Sequence, residues 1–145
     1  RGTELEPQAR EAWSFITGKT VEEYGFIYMD EAKTTGCSPD GLSDDSGLEI
    51  KCCLPSTHVG MLLANKVPSK YIGQLQGCML VTGRETWDFC AYCPDFPPLI
   101  ITVERDDKWQ AAFAPLLEKF TDGMLAKRER LIEICGERQC ETKPI

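Results

Sequence analysis

Apolar positions change their period several times along the chain, and each change marks an element. Leu5, Ala9, Ala12, Trp13 and Ile16 recur at helical spacing and Gly18 follows as a stop, which predicts a first helix over residues 4–16. Residues 20–29 are rich in β-formers (Val21, Tyr24, Phe26, Ile27, Tyr28) and predict a strand or strand pair. Two short strands are expected over 34–42 and 47–53, joined by the turn run Ser43-Asp44-Asp45-Ser46-Gly47 as a hairpin. A short helix with His58, Met61, Leu62 and Leu63 falls within 55–65, and Pro68 opens a stronger one over 69–81, closed by Gly83. Residues 86–92 alternate Trp87, Phe89 and Ala91 against Asp88, Cys90 and Tyr92, and a second strand follows the Pro-rich turn 94–98 at 99–103. Asp106 or Asp107 caps a last helix to about Ile134, whose buried side would carry Trp109, Phe113, Leu116, Leu117, Phe120, Met124, Leu131 and Ile134. Helices before, between and after strands predict an α/β domain with a mixed central β-sheet flanked by helices.

Composition narrows this little. The 145 residues suffice for one domain with a real core. No apolar run reaches the length of about 18 to 20 residues that a membrane span needs, and no signal-peptide pattern opens the chain, so it reads as soluble and non-secreted. Eight cysteines in a chain of this size and class are expected to be reduced thiols rather than a disulfide scaffold. Residue 1 is Arg1 and a helix begins almost at once, so residues 1–145 are expected to be a single domain from a longer polypeptide whose N-terminal part is cleaved or not included. Twenty-three acidic against sixteen basic residues give a net charge of −7, which taken alone argues against a partner as negative as DNA.

Chemistry concentrates in Gly36-Cys37-Ser38-Pro39-Asp40-Gly41-Leu42 and, nine residues after Asp40, in Glu49-Ile50-Lys51. On a strand, Glu49 and Lys51 project to one side and Ile50 to the other, and a hairpin partner can bring Asp40 beside Glu49. Two carboxylates with the Ile50 main-chain carbonyl form a hard-oxygen site suited to Mg²⁺, with Mn²⁺ as a substitute, completed by water and phosphate oxygens. Lys51 beside them can orient or deprotonate an attacking water, or offset charge developing on a phosphate. Either half alone is ordinary: Asp-Gly is a turn dipeptide and Glu-x-Lys is common strand alternation. Their order and spacing within a β-rich segment resemble the PD-(D/E)xK nuclease superfamily, with its restriction-endonuclease-like core.

Within that superfamily the chain resembles the lambda-type phage exonucleases, the YqaJ-like viral recombinases. The resemblance rests on Arg1-Gly2-Thr3-Glu4-Leu5-Glu6 with Ala9-Arg10, on Cys37–Leu42, on Gly47-Leu48-Glu49-Ile50-Lys51-Cys52 and on Tyr71-Ile72-Gly73-Gln74-Leu75-Gln76, and it continues through Val103-Glu104-Arg105-Asp106. It implies that Asp40, Glu49 and the Ile50 carbonyl hold metal, that Lys51 serves the attacking water, and that Gln74 and Glu6, the latter through water, complete the site. It further implies 5′→3′ digestion of linear double-stranded DNA to mononucleotides by a two-metal mechanism, leaving a 3′ overhang for recombination. A ring-shaped homotrimer, a single-strand-annealing recombinase partner and the cytoplasm of a bacterial host carrying a phage or prophage belong to the same implication. So does a helical N-terminal portion, with groups that grip a 5′-phosphate, preceding Arg1. A restriction- or repair-type endonuclease and a non-catalytic DNA-binding module on the same fold are the alternatives, and an intact Asp40, Glu49 and Lys51 speaks against the second.

On a helical wheel Tyr71, Ile72, Leu75, Cys78, Met79 and Val81 fill one arc, with Gln74 inside it and Gln76 off its edge, so Gln74 is expected to be a core-facing amide that needs a partner, in the site or on the sheet. Glu6 borders the Leu5–Ala9–Trp13 face but also suits a helix N-terminus. Asp30 is a peripheral candidate. Cys90-Ala91-Tyr92-Cys93 with Cys135 and Cys140 could hold an iron–sulfur cluster or zinc, but three residues apart on a strand Cys90 and Cys93 point to opposite faces, which argues against it. Cys37, Cys52 and Cys78 are expected to be small residues packed beside the site. His58 is expected to be a solvent-exposed helix-start residue rather than a base, and the run 127–130 a solvated helix face. Charge is polarised: residues 22–49 carry eight acids and one base, whereas 51–84 carry Lys51, Lys66, Lys70 and Arg84 and no acid. Lys66, Lys70 and Arg84 are therefore the expected DNA contacts, and bound cations would offset the acidic segment, so the net charge no longer excludes DNA.

Overall fold

The central sheet is organised around β4 (Ser46–Cys52) in a computed structural model that describes residues 2–136. In chain order the elements are α1 (Gly2–Thr17), β1 (Ile27–Tyr28), β2 (Gly36–Cys37), β3 (Gly41–Leu42), β4, α2 (Pro55–Ala64), α3 (Ser69–Thr82), β5 (Thr86–Tyr92), β6 (Leu99–Glu104) and α4 (Asp107–Cys135). The sheet runs β3-β4-β5-β6, antiparallel at each outer pair and parallel between β4 and β5. Parallel neighbours need a crossover, and α2 with α3 supplies it. The result is the mixed, helix-flanked sheet expected of the sequence.

Strand alternation sorts the core into two layers. Leu48, Ile50 and Cys90 bury one face against Ala9 and Trp13 of α1. Trp87, Phe89 and Ala91 bury the other against Met61 of α2 and Leu75, Cys78 and Met79 of α3. The β5 alternation read from the sequence is therefore the one that packs. Gly47 lies opposite Trp87 in the ladder, where a Cβ would come within 2.3 Å of the indole ring. The bare backbone leaves room for that ring against β4, two residues before Glu49.

The strand expectations are corrected in three places. Residues 20–29 form only β1 and an isolated bridge from Glu22 to Leu42, and the strand expected over 34–42 is split into β2 and β3. β1 and β2 pair with each other as a separate ribbon. Pro39 lies between β2 and β3 and has no N–H to give a ladder. The hairpin turn is tighter than expected, with β4 starting at Ser46 and the Ser43 N–H bonded to the Ser46 carbonyl at 2.8 Å.

His58 is fully buried rather than solvent-exposed. Its Nε2 lies 2.9 Å from the Pro97 carbonyl, which can only accept, so Nε2 carries the proton and ties α2 to the β5–β6 loop. The chain falls into two compact units, one ending at Asp107 and one beginning at Lys108. In the second, α4 contains no buried residue: Leu116, Phe120, Met124, Leu131 and Ile134 are exposed rather than covered. Helical spacing shows that these residues share a face; it cannot show that anything lies over it. The run 127–130 is exposed, with Arg130 paired to Glu133 at 2.8 Å.

Candidate active site

β4 is buried from Ser46 to Ile50, and its alternation sends Ile50 into the α1 layer and Glu49 and Lys51 toward α3. Asp40, just before β3, is held by three hydrogen bonds. Its N–H donates to the Leu48 carbonyl (3.1 Å), its Oδ2 accepts the Ile50 N–H (2.6 Å), and its carbonyl accepts from Arg10 of α1 (3.0 Å). The carboxylate is thereby fixed to the backbone of β4 beside Glu49. Arg10 pairs in addition with Glu23 at 2.6 Å, so α1 braces this corner from outside.

Glu49 is 2% exposed. Its Oε1 receives the Lys51 ammonium, while Oε2 is buried without a hydrogen bond. Burial pushes its carboxyl above the usual carboxylate range; the Lys51 hydrogen bond pulls it down, the charge of Asp40 raises it again, and the Gln74 amide slightly favours the charged form. For Lys51, burial opposes the charge, but the hydrogen bond and charge of Glu49, with Asp40 and Tyr71, outweigh it and hold the ammonium above its ordinary range. Glu49 and Lys51 are thus a mutually dependent charge pair in a half-closed site.

A hard divalent cation fits this donor set. A buried carboxylate oxygen with no partner is costly, and beside the second carboxylate of Asp40 a cation is the partner that would satisfy it. Among the described residues no three His, Cys, Asp or Glu side chains converge as a metal-ion set. The side chains would therefore supply two carboxylates, with main-chain, water and substrate oxygens filling the remaining positions.

The fold brings Asp40, Glu49, Ile50 and Lys51 together at β4, and Gln74 of α3 lies within reach of the Glu49 carboxylate. The two glutamines of α3, however, exchange places: Gln74 is exposed, and Gln76 is 2% exposed. Gln76 donates to the Glu104 carbonyl (2.8 Å) and accepts the Asp106 N–H (2.9 Å), pinning α3 to the end of β6. The wheel misassigned them because polar stripes of a crossover helix answer to two neighbours at once. Gln76→Ala is expected to lower stability by about 1–3 kcal/mol, leaving two main-chain groups unpaired, and the exposed Gln74→Ala by less; equilibrium urea unfolding of both variants checks this.

Glu6 is half-buried on α1, and its charge, like that of Asp40, is felt at Cys52. Lys70 approaches the site, its Nζ 4.8 Å from the Tyr71 ring centroid. Lys66 is exposed between α2 and α3, and Arg84 lies at the β3–β4 turn, bonded to the Asp44 carbonyl at 3.2 Å. Arg84 therefore sits beyond the far end of β4 from Lys51. Asp30 caps its own turn through the Ala32 N–H (3.0 Å). Cys78 is buried and Cys37 half-buried beside it, and a thiol–thiol hydrogen bond from Cys78 lowers the Cys37 thiol. Cys90 packs in the α1 layer and Cys93 is buried one residue beyond β5; Cys140 lies outside the described residues. Two neighbours of the site were not assigned roles from sequence: Arg10, one turn after Glu6, and Tyr71, three residues before Gln74. Those helical spacings were the available signal.

A Pro-Asp held against a Glu-x-Lys strand, on a mixed sheet with a helical crossover, defines a protein of the PD-(D/E)xK nuclease fold. The YqaJ-like viral recombinase domain matches residues 1–85, more than half of the chain, and the chain belongs to that family. Among solved structures it is similar to an alkaline exonuclease (LHK-Exo) from Laribacter hongkongensis, with 36% identity and a TM-score of 0.72 over 90% of this chain and 74% of that one. The structure of LHK-Exo in complex with dAMP matches with the same identity and TM-score, covering 73% of that chain. No curated protein sequence matches.

Proposed function

We propose that this chain is the catalytic domain of a metal-dependent deoxyribonuclease that digests linear double-stranded DNA from its 5′ ends, releasing mononucleotides and leaving a 3′ overhang for recombination. The single observation that carries the reading is the buried, unpartnered Glu49 Oε2 beside Asp40, with Lys51 on the same carboxylate. The likeness to an alkaline exonuclease, solved also with a mononucleotide, supports it. Asp40, Glu49 and the Ile50 carbonyl would hold Mg²⁺ or Mn²⁺, with Glu6 contributing through water. Such an ion, when bound, supplies a Lewis acid that makes phosphorus more open to attack and stabilises the leaving oxygen.

The protein's own part is positioning. The backbone bond from Ile50 to Asp40 keeps the two carboxylates adjacent before substrate arrives. Lys51 carries a positive charge to the edge of the carboxylate pair, where it can orient the attacking water and offset charge developing on the phosphate. Gln74 reaches the same carboxylate from α3. Lys70 and Lys66 face solvent nearby and would meet the DNA backbone.

As in the family, the working assembly would be a homotrimeric ring in the cytoplasm of a bacterial host, with a single-strand-annealing recombinase as partner. No helix among the described residues is long and apolar enough to cross a membrane. The test is digestion of end-labelled 5′-phosphorylated linear duplex against a covalently closed circle, with Mg²⁺ and with chelator. Mononucleotides from the linear substrate with Mg²⁺ alone are expected, and the circle stays intact. Equal cutting of the circle would reject the exonuclease reading in favour of an endonuclease.

A further inference from the structure

Tyr71 is the aromatic residue at the site for which the chemistry above has no use. Its ring stacks on Phe89 of β5, with centroids 5.4 Å apart and planes 30° from parallel. Phe89 is fully buried and sits opposite Glu49 in the β4–β5 ladder, so the ring rests on a rigid support. The Lys51 ammonium lies 5.4 Å from the centroid of that ring, and the Lys70 ammonium lies 4.8 Å from it. Both are within the distance at which a cation is drawn to an aromatic face.

Lys51 needs such a holder. Its side chain has four rotatable bonds and loses much entropy when confined to one geometry. Glu49 confines it here, yet Glu49 is also a ligand in the reading above, on which this inference rests. A cation on Oε2 draws charge out of the carboxylate and weakens its hold on the ammonium at Oε1. An aromatic face takes no proton and occupies no donor, so it can hold Lys51 whether or not Glu49 is engaged, and it leaves the N–H groups free for water and phosphate. We propose that Tyr71 is a positioning residue that keeps the Lys51 ammonium in the active site through its ring, independently of Glu49. The ring face is what matters, so phenylalanine should serve and an aliphatic residue of similar bulk should not.

The first test needs no activity. In the ¹H–¹³C spectrum of the full chain, assigned with Lys51→Arg, the Lys51 Hε protons are expected to be shifted upfield by the ring current and to remain so when Mg²⁺ is added. Tyr71→Phe keeps that shift and Tyr71→Leu returns the resonance to the position of the exposed lysines. The second test is kinetic: with Mg²⁺ and linear duplex, Tyr71→Leu is expected to lower kcat about tenfold with KM changed less than twofold, and Tyr71→Phe to restore kcat. A Lys51 resonance unshifted in the wild type, or shifted only until Mg²⁺ is added, overturns the proposal even if Tyr71→Leu does not fold. An unchanged kcat in a folded Tyr71→Leu overturns it too. If the wild type cleaves no DNA, the function proposed above fails while the spectrum still decides whether the ring holds Lys51.

Discussion

Lys51→Ala is expected to reduce nucleotide release about 10³-fold while the chain still folds. The rate loss follows from removing the side-chain cation that sits on the Glu49 carboxylate, where a preorganised charge acts in a partly water-excluded site. Folding survives because the Lys51 side chain is 27% exposed and the core layers do not depend on it. Stability nonetheless changes with pH in a way that identifies the pair. Burial holds the Glu49 carboxyl above its ordinary range, and without Lys51 the larger of the two groups that lower it is lost. A carboxyl whose folded pKa is raised contributes stability below its unfolded pKa and loses it as pH rises through the folded value. Metal-free Lys51→Ala should therefore match the wild type most closely near pH 4 and fall below it progressively toward pH 8. Thermal unfolding at several pH values, alongside end-labelled digestion, measures both; a constant gap in Tm across that range would mean that Lys51 and Glu49 are not coupled as described.

Glu49→Gln separates cation binding from packing. Glutamine keeps the shape of the side chain but removes its charge, so the buried site loses its anionic donor while the strand remains filled. Divalent-ion-dependent cleavage is expected to fall by at least about 10³-fold. Wild-type chain should gain about 2.7 kcal/mol of stability in Mg²⁺ at one hundred times its dissociation constant, and the variant none, because only a native-state ligand stabilises by mass action. Scanning calorimetry with and without Mg²⁺ distinguishes the cases. An equal gain in both proteins would place the cation away from Glu49.

The helices and the two long strands were legible because their signals are local: apolar period, Gly18 and Gly83 as stops, Pro68 before α3. The chemistry was legible for a related reason, since Asp40, Glu49 and Lys51 lie within one hairpin and strand alternation alone puts Glu49 and Lys51 on one side. Apart from the strand boundaries around Pro39, the failures were questions of what lies opposite. His58 reads as a polar helix-start residue until the Pro97 carbonyl, 39 positions away, is brought beside it. Gln74 and Gln76 differ by two positions on one helix, and only the end of β6 decides which of them is buried. The α4 stripe has the spacing of a buried face and no buried residue.

By itself, then, the amino-acid sequence determined the class of fold, the segment that carries the chemistry and the identity of its charged residues, because period, turn chemistry and short-range spacing are properties of neighbouring positions. Only the tertiary structure decided that Glu49 keeps a buried oxygen without a partner, that Arg10 and the Ile50 N–H lock Asp40, and that Phe89 presents Tyr71 to Lys51. The first and last depend on the parallel crossover that packs α3 and β5 against β4, and the second on α1 folding back over the β3–β4 hairpin, contacts that spacing along the chain does not specify.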